Sequence, residues 1–164
     1  MENNFVLLLG DLIKTSLEKN IISSSDIKKM PDNDILYIEN KFNIYLPSIY
    51  KDFLSICGNG CGQLMDNSIL HYPPSLLHLH EGIQEMIEED IENMYEPIPN
   101  NAFFFASNLG VHYWYFICDE NLDPIVYYIT AGDETHLSCG KLSICIVQTL
   151  SNSIDTLQKN RKTD

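Results

Sequence analysis

Residues 102–129 read AFFFASNLGVHYWYFICDENLDPIVYYI, and this stretch decides the fold class. Ala102 to Ala106, Val111 to Cys118 and Ile125 to Ile129 are short runs rich in Phe, Tyr, Trp, Val and Ile, side chains that suit a pleated, half-buried surface. Between them stand Asn108-Leu109-Gly110 and Asp119 to Pro124, which carry turn chemistry. A parallel return needs a crossover of roughly a dozen residues or more, which neither connection supplies. The three runs are therefore expected to form an antiparallel meander.

Upstream the period changes from strand to helix. Phe5, Leu8, Leu9, Leu12, Ile13 and Leu17 recur at three- and four-residue steps and predict one apolar stripe along a first helix. A second helix is expected to begin near Asp32 or Asn33, whose short polar side chains can cap free N–H groups, and to run through Ile35, Ile38 and Phe42. After a break at 43–46, Pro47 opens a third, carrying Ile49, Tyr50, Phe53, Leu54 and Cys57, and Gly58-Asn59-Gly60 ends it through left-handed backbone. Leu46 and Phe53 are expected to be buried where the second and third helices meet the sheet. Gly62 to Tyr72 suggests one or two further strands, and Ser75 to Tyr95 a loose acidic helix.

Downstream of the meander, Leu142, Ile146, Leu150, Ile154 and Leu157 restore helical spacing, although Ile144 to Val147 also carry strand propensity. The fold class is α+β: an antiparallel meander sheet with N-terminal helices and a C-terminal helix packed against it, on one sheet face. With no repeat, low-complexity tract or Gly/Ser linker, residues 1–158 read as a single domain and residues 159–164 as a frayed basic tail.

Composition narrows the function classes. Of 164 residues, 45% are hydrophobic, enough for one sizeable core. Ten Lys and Arg stand against 23 Asp and Glu, a net charge of -13, which argues against nucleic acid and anionic membrane as direct ligands and favours a cationic partner. Five cysteines make no regular framework and read as reduced thiols. The apolar run Phe5 to Leu9 is too short for a signal segment, and no stretch approaches the roughly 20 apolar residues of a membrane span, so a cytoplasmic location is expected.

Several residues imitate catalytic or metal sites. Cys57 and Cys61, with His71, His78 and His80, are zinc-ligand types, but no Cys-x-x-Cys step is present and Cys57 falls on the apolar face of its helix. A nucleophile pair could be assembled from Cys61, Cys118, Cys139, His112 and His136, yet no motif selects one. Asp119-x-Asn121-x-Asp123 opens like a calcium loop and then fails, with Pro124 where Gly is required and Thr130 where the bidentate Glu belongs. Gly58 to Gly62 lacks the Lys and Ser/Thr of a phosphate loop. The expectation is no catalytic residue, no bound metal and no cofactor.

The acidic segment is more informative. Glu81, Glu85, Glu88, Glu89, Asp90, Glu92 and Glu96 alternate with Ile83, Met86, Ile87 and Ile91 at helical steps, so one side can pack while the other presents carboxylates. Two readings stand: a solvated helix face, or a recognition surface for a basic protein. The second comprises Glu85, Glu88, Glu89 and Glu92, extended by Asp133 and Glu134 if that hairpin tip lies nearby.

Ile35-x-x-Ile38-Glu39, Leu46-Pro47, Tyr50, Phe53-Leu54 and Asn59-Gly60, read in order, form a pattern. Phe104-Phe105-Ala106, Gly110, the Tyr-rich strand after it, Pro124-Ile125-Val126 and a final helix continue it. From Asp32 to about Leu157 the chain resembles the SUKH superfamily, which includes a yeast cell-wall-synthesis regulator and many bacterial immunity proteins. Cys61 interrupts the paired glycines of the family turn, and Val111-His112 stands where Gly-Asp is common. The resemblance implies a non-catalytic cytosolic antitoxin that binds and neutralises one cognate bacterial toxin domain, such as a nuclease. The alternative is an interaction or regulatory module of the same fold without a toxin partner.

Overall fold

The structure, a computed structural model, describes residues 4–66, 69–90, 97–130 and 136–161, and of residues 84 and 86–90 the backbone alone. Six α-helices and four strands lie among these residues: α1 (Asn4–Glu18), α2 (Asp32–Phe42), α3 (Ser48–Cys57), α4 (Gln63–Asp66), α5 (Ser75–Asp90), β1 (Ala102–Asn108), β2 (His112–Ile117), β3 (Ile125–Thr130), β4 (Leu137–Lys141) and α6 (Leu142–Asn160). The strands pair antiparallel in the order β1-β2-β3-β4, which is the expected meander. Leu109 and Gly110 have φ of 56° and 66°, and the Val111 N–H closes the turn on the Asn108 carbonyl at 3.2 Å. Positive φ at both central residues is what a tight hairpin needs to match strand twist.

A fourth strand, β4, joins the three that the sequence predicts. Its sequence, LSCGK, has one strongly apolar residue and a glycine at φ 98°, so neither propensity nor alternation marks it. It is an exposed edge strand, and its register on β3 shifts between Val126 and Tyr127. Between residues 62 and 72 the expected strands are replaced by the short helix α4 and one bridge, Leu70 to Ala106. Leu64 and Met65 are buried there, and the segment meets the β1 edge through His71 N–H to Phe105 O and Ser107 N–H to Ile69 O, both 3.0 Å.

The core forms where α3 and α6 meet one face of the sheet, with α1 packed on both helices. Tyr50 and Phe53 of α3 are buried with Phe103, Phe105 and Phe116, the Tyr50 ring lying 5.2–6.0 Å from the other four centroids. Leu46 and Phe53 are 3% and 1% exposed, as the sequence predicts. In α1 the stripe is narrower than expected: Phe5, Leu9 and Ile13 are buried, Leu12 and Leu17 half-buried, and Leu8 exposed. Helix α2 starts at Asp32 with Pro31 before it, so Asp32 and Asp34 favour its N-terminus by charge in the first turn and no side chain caps it. Gly58, at the end of α3, is right-handed, and the left-handed glycines are Gly60 and Gly62. What demands glycine at 58 is space, since a Cβ there would stand 2.5 Å from the Leu54 carbonyl oxygen.

Helices do not keep to one sheet face. Ile83 of α5 is buried with Ala102, Phe104, Tyr115 and Ile129 on the face away from α3 and α6, so α5 reaches around the β1 edge. Over residues 144–147 the strand propensity loses to helix. Asp123, in the loop before β3, accepts from Ser143 N–H at 2.9 Å and from Ser143 Oγ at 2.8 Å, satisfying a free donor in the first turn of α6. At the other end α6 continues through Lys159 and Asn160, and Arg161 Nη1 donates to the carbonyls of Lys19 (3.4 Å) and Asn20 (2.9 Å).

Candidate protein-interaction surface

Helix α5 owes its placement to a histidine. His80 is buried, its ring 4.3 Å from Phe42 and 4.5 Å from Phe103, and its Nε2 accepts the Phe104 N–H at 2.9 Å. An outward N–H at the sheet edge is thereby satisfied by a neutral imidazole, and burial pushes the His80 pKa down to about 4. Leu76, His80 and Ile83 are buried on one side of the helix, Leu77 and Leu79 are half-buried beside them, and His78, Glu81 and Gly82 turn outward.

Glu81 and Glu85 are exposed. Glu81 accepts from Lys41 Nζ at 2.6 Å, which ties α5 to α2 and holds the Glu81 carboxyl below its usual range while raising Lys41. Glu88 and Glu89 lie in the same helix, three and four residues after Glu85, and only their backbone is described. Glu92, Asp133 and Glu134 lie outside the described residues.

The groups that imitate catalytic sites are taken up by the fold. The Cys57 thiol is raised by its hydrogen bond with Cys61 and by burial, and the same bond lowers Cys61. The three downstream histidines diverge from that pair: His71 meets Ser107 Oγ at 2.6 Å and Ser75 Oγ at 3.2 Å, His78 lies 3.7 Å from Glu81, and His80 serves β1. His112 Nδ1 meets Tyr128 OH at 2.7 Å, and His136 Nδ1 meets Tyr115 OH, so each ring is held by a tyrosine. Burial pushes Cys118 up to about 12 and Cys145 to about 11, so both remain protonated thiols at neutral pH. In the calcium-like loop Asn121 N–H donates to Asp119 and Asp123 N–H to Asn121, local turns that leave Asp123 to α6. Among the described residues, no three His, Cys, Asp or Glu side chains converge as metal ligands.

Sequence reasoning missed the work of Glu39. Its Oε1 accepts from Leu46 N–H and from Lys51 Nζ, both at 2.8 Å, with the Glu39 side chain 11% exposed. One carboxylate thus fixes the Leu-Pro step that launches α3 and is neutralised by the helix it positions. The signal was present as Glu39 followed by Leu46-Pro47, but nothing local says that a loop N–H needs that acceptor.

The arrangement is an α+β meander domain with a carboxylate-bearing helix along its sheet edge. The chain belongs to the SMI1 / KNR4 family (SUKH-1), whose model matches residues 29–147, from just before α2 into α6. No significant match is found among curated proteins or among solved structures. No helix among the described residues is long and apolar enough to cross a membrane.

Proposed function

We propose that this chain is a non-catalytic immunity protein, acting in the cytosol as one domain over residues 1–158, that binds and neutralises a cognate bacterial toxin domain. Family membership supports a protein-binding role of the immunity or regulatory kind. The observation that carries the reading is that α5 turns Glu81 and Glu85 outward, while Cys57, Cys118, His80 and His112 are held as packing or hydrogen-bonding groups. Carboxylates on α5, with Glu88, Glu89 and Glu92 in sequence after them, suit the cationic cleft of a toxin such as a nuclease. The net charge of -13 speeds encounter with such a basic partner at a rate that falls with salt. Asp133 and Glu134 belong to the same proposed surface.

The test is co-expression with the C-terminal toxin domain of a large secreted protein encoded beside this gene. Growth rescue and a stoichiometric complex on gel filtration are expected. Failure to rescue or bind sinks the immunity reading and favours a regulatory module without a toxin partner. With a complex in hand, Glu88→Lys with Glu89→Lys should slow association and flatten its salt dependence while leaving dissociation largely unchanged.

A further inference from the structure

We propose that the outer face of α2 is the ridge on which the partner docks, and that the partner surface is a cleft with apolar walls for Leu36 and Tyr37, a polar floor for Asn33 and Asn40, and a rim of Lys and Arg. This rests on the immunity reading and names the contact that gives it affinity. The inward face of α2 buries Ile35 and Ile38, yet Leu36 and Tyr37 stand 52% and 56% exposed on the opposite side. At 3.6 residues per turn, Asn33 and Asn40 take the crest, with Leu36 on one shoulder and Tyr37 on the other. Tyr45, 82% exposed, follows just past the helix end.

Each shoulder is bordered by negative charge. Leu36 lines a groove of about 380 Å³ between α2 and α3 together with Asp32, Glu39, Lys51 and Asp52. Tyr37 lies one turn before Lys41, beyond which come Glu81 and Glu85 of α5. The two cations bordering the ridge, Lys41 and Lys51, are already bonded to Glu81 and Glu39 at 2.6 and 2.8 Å. Within each of those two pairs the charges offset, so an incoming basic residue meets exposed Asp32 on one flank and exposed Glu85 on the other, while the Leu-Tyr pair offers apolar area that costs little entropy to order. Charge on α5 sets the encounter rate, and the ridge sets how long the complex lasts.

The experiment uses the full chain and two probes. Against the toxin domain that the wild-type chain neutralises, Leu36→Ser with Tyr37→Ser should weaken binding at least about tenfold, mainly through faster dissociation, with an unchanged melting temperature. Wild-type affinity in that double variant overturns the ridge and leaves the immunity reading standing. If the wild-type chain neutralises no toxin domain, the immunity reading fails, and a cationic amphipathic peptide of alternating Leu and Lys pairs decides the surface. Amide shifts on residues 32–41 that vanish in the double variant sustain the ridge. Shifts centred elsewhere, such as exposed Leu7 and Leu8 of α1, or no shifts at all, overturn it.

Discussion

Helices α3 and α5 both press on the Phe103–Phe105 stretch of β1, and they do so with opposite chemistry. From α3 come Tyr50, Phe53 and Leu54, each no more than 1% exposed, in an aromatic cluster with Phe103, Phe105 and Phe116. From α5 come one histidine bonded to a strand N–H, Leu76 and Ile83 buried, and carboxylates facing away. The first is a packing contact, replaceable only by similar shape; the second is a polar latch that leaves Glu81 and Glu85 open to solvent or a partner. The family match spans both, but the residues that carried the resemblance, such as Tyr50 and Phe53-Leu54, sit in the first.

Truncating the packing contact should produce the largest effect. Phe53→Ala removes a ring from the centre of the aromatic cluster and leaves a cavity, so a loss of about 3–5 kcal/mol is expected in urea unfolding. A loss under about 1 kcal/mol would mean that α3 is not the keystone of the core.

The latch should fail with pH instead. His80 has its pKa lowered in the folded state, from an ordinary 6.5 to about 4, so the unfolded chain binds more protons between those values. Stability from this group is then full above about pH 6.5 and falls as pH drops toward 4, by about 3 kcal/mol in all. His80→Gln keeps an acceptor for Phe104 N–H and titrates nowhere in that window. Melting measured from pH 7 to 4 should converge for wild type and variant as acid removes the advantage; parallel curves would place the titration elsewhere.

This contrast also marks how much was legible beforehand. Periodicity finds α1, α2, α3, α6 and three strands because each element's own residues repeat at its own period. It misses β4, whose partner supplies the reason for its extension, and it misreads the segment around α4, where buried Leu64 and Met65 look equally like strand and helix. Packing on the second sheet face is invisible because it depends on where Ile83 lands, and the jobs of His80, Glu39 and Asp123 are invisible because their partners lie 24, 7 and 20 residues away. Of the acidic surface, Glu85 is exposed as read, and it was legible because helical spacing alone separates Ile83 from it.

A smaller loss is expected at the link between α2 and α3. Glu39→Ala leaves Leu46 N–H without its acceptor and Lys51 without its carboxylate, at a cost of about 1–3 kcal/mol. Glu39→Gln retains an oxygen for Leu46 and should recover part of it in thermal melts; no recovery would assign the effect to the Lys51 pair.

The smallest effect is expected at Tyr50, a fully buried aromatic, and it separates the two helices most sharply. Tyr50 is 0% exposed, and its hydroxyl is a buried polar atom with no hydrogen-bond partner among the described residues. Burial pushes the Tyr50 phenol far up, so it stays neutral at any pH the fold survives. An unpaired hydroxyl gives back nothing for the water it lost, whereas the ring keeps all its contacts with Phe53, Phe103, Phe105 and Phe116 when the oxygen is removed. Tyr50→Phe should therefore be neutral or raise stability by up to about 1 kcal/mol. The equivalent removal on α5, His80→Phe, strips a paired acceptor from the β1 edge and should cost stability at pH 7. Denaturant midpoints for the two variants read the difference directly. If Tyr50→Phe is the more damaging of the pair, then α3 also holds β1 by a polar contact and the distinction between packing and latch collapses.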